Sequence, residues 1–174
     1  MMSKLSNYFF DREWIAVMEL SEKQRPSKFN RIITTALAWY EGVASLTLAR
    51  QTKERKWRDI GVASVEKLAG FAQTSKWNFQ HRHQLVQAEL FYTDGELDSA
   101  EATYKAAIKS AREHQYSSGE AVIHECFGLF CLENERIKQG ARLLRTAVDL
   151  YEQWGAKRKA TEVQLLADTV DKHC

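Results

Sequence analysis

The apolar positions in the second half of the chain repeat after a shift of forty residues. Small residues mostly fall on small ones under this shift, and large residues mostly fall on large ones. A repeat of this length at helical spacing is typical of a helical hairpin that is used more than once and stacked into a solenoid. The first stripe consists of Leu97, Ala100, Tyr104, Ala107, Ile108 and Ala111, and the second of Ile137, Gly140, Leu144, Ala147, Val148 and Tyr151.

The first half of the chain predicts three helices. The first covers about Tyr8–Glu22 and ends before Pro26, and Ser27 can cap the second, which covers about Phe29–Arg50. Because the second helix is apolar on more than one face, we expect it to be heavily buried. The third, over Trp57–Ala72, carries a stripe that overlays the later ones at a shift of 39 residues.

The second half predicts two hairpins and a last helix. The first hairpin pairs Phe79–Tyr92 with Leu97–His114, and the second pairs Ala121–Leu132 with Ile137–Trp154. A final helix over about Ala160–Thr169 is expected to cover the open end of the stack. No segment sustains a two-residue alternation of apolar and polar positions, so we expect no sheet.

Several residues between these helices carry signals of a helix end. Gly95 can adopt the left-handed conformation that ends a helix, and Gly155 can do the same after Trp154. Ser117 and Glu120 have the spacing of a capping box, in which the hydroxyl and the carboxylate satisfy each other's exposed amides. Trp154 itself has two interpretations: it plugs the end of the last hairpin, or it is a contact site.

These elements define the predicted organisation of the chain. The fold class is all-α, with seven or eight helices in antiparallel hairpins stacked as an α-solenoid of long repeats, about 40 residues each. A single domain covers 1–174. It contains clear repeats over 78–115 and 118–156, a weaker copy over 29–73 and a terminal capping helix over 157–171.

Composition narrows the classes of function. Of the 174 residues, 44% are hydrophobic and 28% are charged, which suits a packed core with a charged surface. The net charge of +2 favours neither general nucleic-acid binding nor a strongly charged membrane face. Two short basic clusters, at 53–58 and 157–159, are interpreted as solvated helix ends rather than phosphate sites.

The cysteine content predicts the compartment. Cys126, Cys131 and Cys174 are few and odd in number, which argues against a disulfide framework and for a reducing, intracellular compartment, most simply the cytoplasm. No apolar stretch reaches the roughly 18 residues that a membrane span requires. Residues 1–10 lack the long apolar core of a signal peptide.

The spacing of small and aromatic residues resembles the tetratricopeptide repeat. Ala88 and Phe91 stand at its small and aromatic positions in the first helix, and Ala100, Tyr104 and Ala107 follow in the second at offsets of four and three. The period of forty exceeds the usual length of about 34 residues, so the resemblance implies a variant with long helices. The second copy carries Gly128, Cys131, Gly140, Leu144 and Ala147.

A second resemblance covers roughly Trp39–Lys159. The stretches Asn78–Arg82 and Tyr104–Ile108, together with the Trp-Gly-Ala ending at 154–156, are similar to a helical-repeat segment of very large signalling proteins. Those proteins join a serine/threonine kinase-like domain and an AAA-type ATPase to this segment, often followed by sensor and histidine-kinase modules. The resemblance implies a regulatory or scaffolding repeat without kinase or ATPase activity of its own.

The sequence contains no recognisable catalytic motif. No glycine lies in a phosphate-loop pattern, and no HExxH is present. His81 and His83 are two residues apart, as are His124 and Cys126, so on a helix the members of each pair point to different sides. We therefore expect no catalytic residue, no metal and no cofactor, and we interpret the chain as not an enzyme.

Two classes of function remain. The first, which we favour, is a non-catalytic module for protein–protein interaction or scaffolding, either a subunit of a larger assembly or a regulatory segment of a signalling system. The second is a small helical-bundle enzyme or a ligand-sensing domain. An enclosed cavity with converging polar groups would favour the second class, and an open concave face the first.

In tetratricopeptide-like stacks, the first helix of each hairpin lines the concave face. Related repeats that grip a C-terminal carboxylate carry lysine and asparagine where this chain has Leu85 and Glu89, so we expect no such clamp. The expected partner is a helix with an apolar face and some basic residues. The alternative is that these side chains pack on a neighbouring helix, such as Phe29–Arg50. The predicted concave face consists of Arg82, Leu85, Glu89, Tyr92, Val122, Glu125, Leu129 and Leu132.

Overall fold

A computed structural model describes Phe9 and residues 12–23 and 31–171 of the chain. Over these residues it contains eight α-helices and no β-strand, which confirms the all-α class. Pro26 and Ser27, which were expected to separate and cap the first two helices, lie outside the described residues. The helices are α1 (Trp14–Lys23), α2 (Arg31–Thr52), α3 (Arg55–Thr74), α4 (Lys76–Thr93), α5 (Leu97–Glu113), α6 (Ser117–Glu133), α7 (Ile137–Trp154) and α8 (Lys157–Asp171).

The chain divides into two compact units, one ending at Thr103 and the other beginning at Tyr104. In the first unit, α2 packs against α1, α3 and α4, and α3 also packs against α4. In the second unit, α7 packs against both α6 and α8. The boundary falls within α5, and the single domain expected over 1–174 stays a prediction.

Helix α2 forms the centre of the first unit, and its predicted burial is confirmed. Every residue of 37–46 is buried, because α1, α3 and α4 all pack against this helix. Small residues allow the close approach. A Cβ on Gly61 of α3 would overlap the side chain of Leu46, and a Cβ on Gly42 of α2 would lie 2.5 Å from the Val86 side chain of α4.

The second unit has its core along the repeated stripe of α7. Leu144, Ala147 and Tyr151 have no exposed area. Tyr104, at the matching position of the first stripe, is equally buried and stacks on Phe127 at a ring-centroid distance of 5.1 Å. The predicted burial of Tyr104 and Leu144 is therefore confirmed.

The stripe of α5 is buried at its small positions and open at its start. Ala100, Ala107 and Ala111 are fully buried and Ile108 is half-buried, whereas Leu97 is 41% exposed. Leu97 is the first residue of α5, and a helical side chain leans over the turn that precedes its own Cα. No such turn exists at the helix start, so the stripe begins in effect at Ala100.

The crossing of α6 and α7 depends on two glycines that face each other. A Cβ on Gly140 would lie 2.9 Å from the backbone oxygen of Gly128, and a Cβ on Gly128 would lie 3.3 Å from the backbone oxygen of Gly140. A rigid backbone yields far less readily than a flexible side chain, so larger residues would force the two helices apart. This contact explains why the sequence carries small residues at these two positions.

Four helix junctions in the second half of the chain share one backbone geometry. Helices α5, α6, α7 and α8 begin at intervals of twenty residues. Two positions before each start, one residue with a positive φ closes the preceding helix. These residues are Gly95 (φ +81°), Gln115 (+55°), Glu135 (+61°) and Gly155 (+85°).

Each junction is a Schellman motif. At the first, the amide of Glu96 donates to the carbonyl of Phe91 at 2.9 Å, and the amide of Gly95 donates to the carbonyl of Tyr92 at 3.1 Å. Equivalent pairs of hydrogen bonds, all between 2.8 and 3.2 Å, close the other three junctions. They satisfy carbonyl groups that the end of a helix would otherwise leave unpaired.

Sequence signals marked only half of these junctions. The left-handed conformations expected at Gly95 and Gly155 are confirmed. Gln115 and Glu135 adopt the same conformation although a side chain disfavours it. Their residue types therefore did not predict a helix end at these positions. The signal that could have found them is their distance of twenty residues from the flanking glycines.

The predicted capping box between Ser117 and Glu120 is wrong. Tyr116 is the N-cap residue of α6, and no side chain forms a hydrogen bond at that cap. The Glu120 carboxylate instead accepts hydrogen bonds from Arg112, from Nη2 at 2.6 Å and from Nε at 3.0 Å. A charged guanidinium is a stronger donor than a neutral amide, so it takes the carboxylate.

The cost of a side chain in the left-handed conformation is measurable. Gly95→Ala should lower the free energy of unfolding by about 1 kcal/mol, since a Cβ disfavours this conformation by roughly 1–2 kcal/mol and the lower entropy of the unfolded alanine chain offsets part of that. Glu135→Gly should raise it by up to about 1 kcal/mol for the opposite reason. Urea unfolding followed by circular dichroism measures both.

Gly70, within α3, provides the matched control. Neither Gly95 nor Gly70 has a neighbouring atom within 4 Å of an added Cβ, so the two substitutions differ in backbone conformation alone. Gly70→Ala should stabilise by about 0.5–1 kcal/mol through helix propensity. Changes of the same sign at Gly95 and Gly70 would contradict the assignment.

Candidate functional site

Half of the predicted concave face lies on α4, in the first unit. Leu85 has no exposed area and Glu89 is 3% exposed, whereas Arg82 and Tyr92 are half-buried. The guanidinium carbon of Arg82 lies 5.1 Å from the ring centroid of Trp39 on α2, a cation–π contact. Of these four residues, only Arg82 and Tyr92 therefore offer accessible surface to a partner.

Arg50 of α2 forms an ion pair with the carboxylate of Glu89. Its Nη2 lies 2.7 Å from Glu89 Oε2, and its Nη1 donates to the Thr93 hydroxyl at 3.0 Å. The guanidinium also lies 4.3 Å from the ring centroid of Tyr92. Of the two interpretations of Glu89, packing against a neighbouring helix is the one that the contacts support.

The other half of the predicted face lies on α6, in the second unit. Val122 is 2% exposed and Glu125 is 5% exposed, whereas Leu129 and Leu132 are half-buried. The Leu132 side chain also covers Gly140, where an added Cβ would lie 2.5 Å from Leu132 Cδ2. The accessible part of this half is therefore apolar.

Glu125 is the centre of a buried polar cluster that joins three helices. Its Oε2 accepts a hydrogen bond from the Tyr151 hydroxyl of α7 at 2.6 Å. Its Oε1 lies 2.9 Å from Lys159 Nζ of α8, and both side chains are more than 90% buried. The interpretation of 157–159 as a solvated helix end is therefore wrong for Lys159, because the charge of Glu125 draws its amine into the unit.

These pairings change what the predicted face can recognise. Both carboxylates, Glu89 and Glu125, are buried and neutralised by basic residues of the same unit. The acidic lining that suggested a basic partner helix is thus absent from the accessible surface. Each unit keeps a pair of half-buried side chains, and binding by any of the eight residues stays a prediction.

Two large apolar side chains are exposed on α7 and α8, and sequence reasoning named only the first of them. Trp154 is 46% exposed, so about half of its surface is open to a partner, and Gly155 ends the helix as expected. Leu165 is 63% exposed, whereas the predicted stripe residues Val163 and Ala167 are buried. The available signal for Leu165 was its position outside the three-and-four spacing of that stripe.

His124 of α6 is buried beside Glu120, which also pairs with the exposed Arg112. Its Nε2 is 3.5 Å from Glu120 Oε1, the atom that also accepts from Arg112. Burial lowers the pKa of His124, Glu120 acts against this shift, and Arg112 adds to it. Burial therefore favours the neutral form of His124 in the folded protein.

The His, Cys, Asp and Glu side chains of the described residues form no metal-binding group. Over Phe9 and residues 12–23 and 31–171, no three His, Cys, Asp or Glu side chains come together in a way that could hold a metal ion. Cys131 is buried and Cys126 is half-buried, both as free thiols. Cys174 lies outside the described residues.

Comparison with known proteins does not assign the chain to a family. No family model, no curated protein and no solved structure matches the chain. The resemblance to the helical segment of large signalling proteins is thus without support from these comparisons. In the described part of the chain, no helix combines the length and the apolar character needed to cross a membrane.

Removal of Lys159 should strongly destabilise the protein. Lys159→Met leaves Glu125 as a buried charge whose neutralising partner is gone, and we expect a loss of about 3–5 kcal/mol. The double variant with Glu125→Leu should recover most of it, since both charges are then absent. Arg158→Met, which removes an exposed pair with Glu162, should cost less than about 1 kcal/mol; equal losses for Lys159 and Arg158 would refute the buried pair.

Stability should fall as the pH drops through the range in which histidine titrates. The unfolded chain takes up a proton near the ordinary histidine pKa of 6.5, and folded His124 resists it because burial lowers its pKa. Burial also lowers the pKa of His83, which adds an effect of the same sign. Chemical unfolding at several pH values should show a shallower dependence for His124→Gln, and an unchanged dependence would be evidence against this role.

Proposed function

We propose that this chain is a non-catalytic module for protein–protein interaction or scaffolding, built as stacked helical hairpins. In this proposal it serves as a subunit of a larger assembly or as a regulatory segment of a signalling system, in a reducing intracellular compartment. The repeats follow the forty-residue period of the sequence, with each repeat containing two helices and two junctions.

The observation that carries this proposal is the recurrence of one junction geometry. Left-handed residues at 95, 115, 135 and 155 close successive helices with the same pair of hydrogen bonds. Twenty residues per helix and turn make forty per hairpin, which is the shift that relates the apolar stripes. A chain built from equal units in this way is typical of proteins that bind partners over an extended surface.

The exposed side chains of α7 and α8 are the proposed contact surface. Trp154 and Leu165 leave 46% and 63% of their area open to solvent. Tryptophan is enriched among the residues that dominate binding energy at interfaces. The half-buried residues of the predicted concave face, led by Tyr92 and Leu132, are the second surface to test.

The test passes an extract of the native source over the immobilised full chain. Mass spectrometry then identifies the proteins that the chain retains. The double variant Trp154→Ala/Leu165→Ser should bind the recovered partner at least about tenfold more weakly, since truncation of such anchors costs more than 1 kcal/mol. Titration calorimetry with the purified partner measures the dissociation constants.

Gln153→Ala, which changes an exposed neighbour of Trp154, is the matched control and should bind as the unaltered chain does. Equal affinity of all three proteins would exclude the α7–α8 surface and leave Tyr92 and Leu132 for the same comparison. Failure of the unaltered chain to enrich any protein over the bare support would refute the interaction module itself.

A further inference from the structure

A cavity of about 260 Å³ lies in the first unit between α2 and α3. Its volume is below the roughly 300–1,000 Å³ of sites for drug-sized ligands, so any occupant is smaller than those. Residues from both helices line it: Thr34, Leu37, Glu41, Ile60, Ala63, Ser64 and Lys67.

Glu41 gives this cavity its chemical character. The residue is 91% buried, since its relative exposure is 9%. Among the residues that the structure describes, none forms an ion pair or a hydrogen bond with its carboxylate. Its carboxylate oxygens are not among the polar atoms shut off from solvent, so the hydrogen bonds that they need come from water or from a ligand in the cavity.

Ser64 presents a second polar group to the same space. It is 3% exposed, and no described residue forms a hydrogen bond with its hydroxyl. The hydroxyl can donate and accept, whereas the carboxylate can only accept. A group that donates several hydrogen bonds, such as an ammonium, can therefore satisfy Glu41 and Ser64 together.

Lys67 adds the opposite charge at the rim. It lines the cavity from an exposed position on α3. A ligand with only a positive charge would be repelled by Lys67, and one with only a negative charge would be repelled by Glu41. A ligand with both charges is attracted at both ends.

We propose that this cavity binds a small zwitterion of the amino-acid type. Its ammonium group pairs with Glu41 and donates to Ser64, its carboxylate pairs with Lys67, and its aliphatic part contacts Leu37 and Ile60. The site goes beyond the interaction role proposed above, and its test requires no partner protein.

The test titrates the isotopically labelled full chain with L-valine and follows the backbone amides by NMR. We expect saturable shifts, with a dissociation constant below about 1 mM, at residues 34–41 and 60–67. Butyrate, n-butylammonium and n-butanol, which lack one or both charges, should bind at least tenfold more weakly.

Two variants assign the charges. Glu41→Gln should weaken L-valine binding at least tenfold, and Lys67→Met should weaken L-valine while leaving n-butylammonium equal or stronger. Glu66→Gln, at an exposed position of α3 outside the cavity lining, is the matched control and should bind as the unaltered chain does.

Thermal unfolding of the free variants separates binding from a structural role. Glu41→Gln should melt at the same temperature as the unaltered chain or higher, because it removes a buried charge that has no partner in the free protein. A lower melting temperature for Glu41→Gln, no saturable shifts with L-valine, or an equal loss of binding in Glu66→Gln would each overturn the proposal and leave a cavity that holds water alone.

Discussion

The left-handed residue that closes each helix is the constraint on which the second half of the structure depends. Its two hydrogen bonds fix the last turn of one helix and the point at which the next can begin. With these residues at 95, 115, 135 and 155, equivalent positions on successive helices are twenty residues apart. The apolar stripe of α5 therefore recurs forty residues later along the chain, on α7, with small residues again at 140 and 147. Gly140 faces Gly128 of α6, and a Cβ on Gly140 would lie 2.9 Å from the backbone oxygen of Gly128.

Buried ion pairs set which helix faces meet inside each unit. Arg50 joins α2 to α4 through Glu89, and Glu125 joins α6 to α7 and α8 through Tyr151 and Lys159. Such pairs add little net stability, because the cost of removing water offsets most of the attraction, yet loss of one partner is expensive. These ion pairs restrict how the helices can pack, because any arrangement that separates the two partners leaves a buried charge without water or a counter-charge.

The same chemistry separates structural carboxylates from those that can meet a ligand. Glu89 and Glu125 are buried and paired with Arg50 and Lys159, so their hydrogen-bonding capacity is used within the fold. Glu41 is buried to a similar degree beside a cavity, with no described residue on its carboxylate. Burial by itself therefore does not distinguish the two roles, and the distinguishing feature is whether the protein supplies the partner. This is the physical basis for placing the proposed ligand site at Glu41 and the proposed protein contacts at exposed apolar side chains.

Sequence alone determined the helical class, most helix boundaries and the buried stripe through Tyr104 and Leu144, because these follow from local periodicity and from residues such as Gly95 that restrict the backbone nearby. It could not assign the roles of Glu89, Glu125 and Lys159, whose partners are 26 to 39 residues away along the chain. The sequence did not predict the cavity at Glu41 for the same reason, because residues of two different helices line it. Local patterns report which residues can be buried. Only the tertiary structure decides which charges meet, because the distance between two side chains depends on how their helices pack.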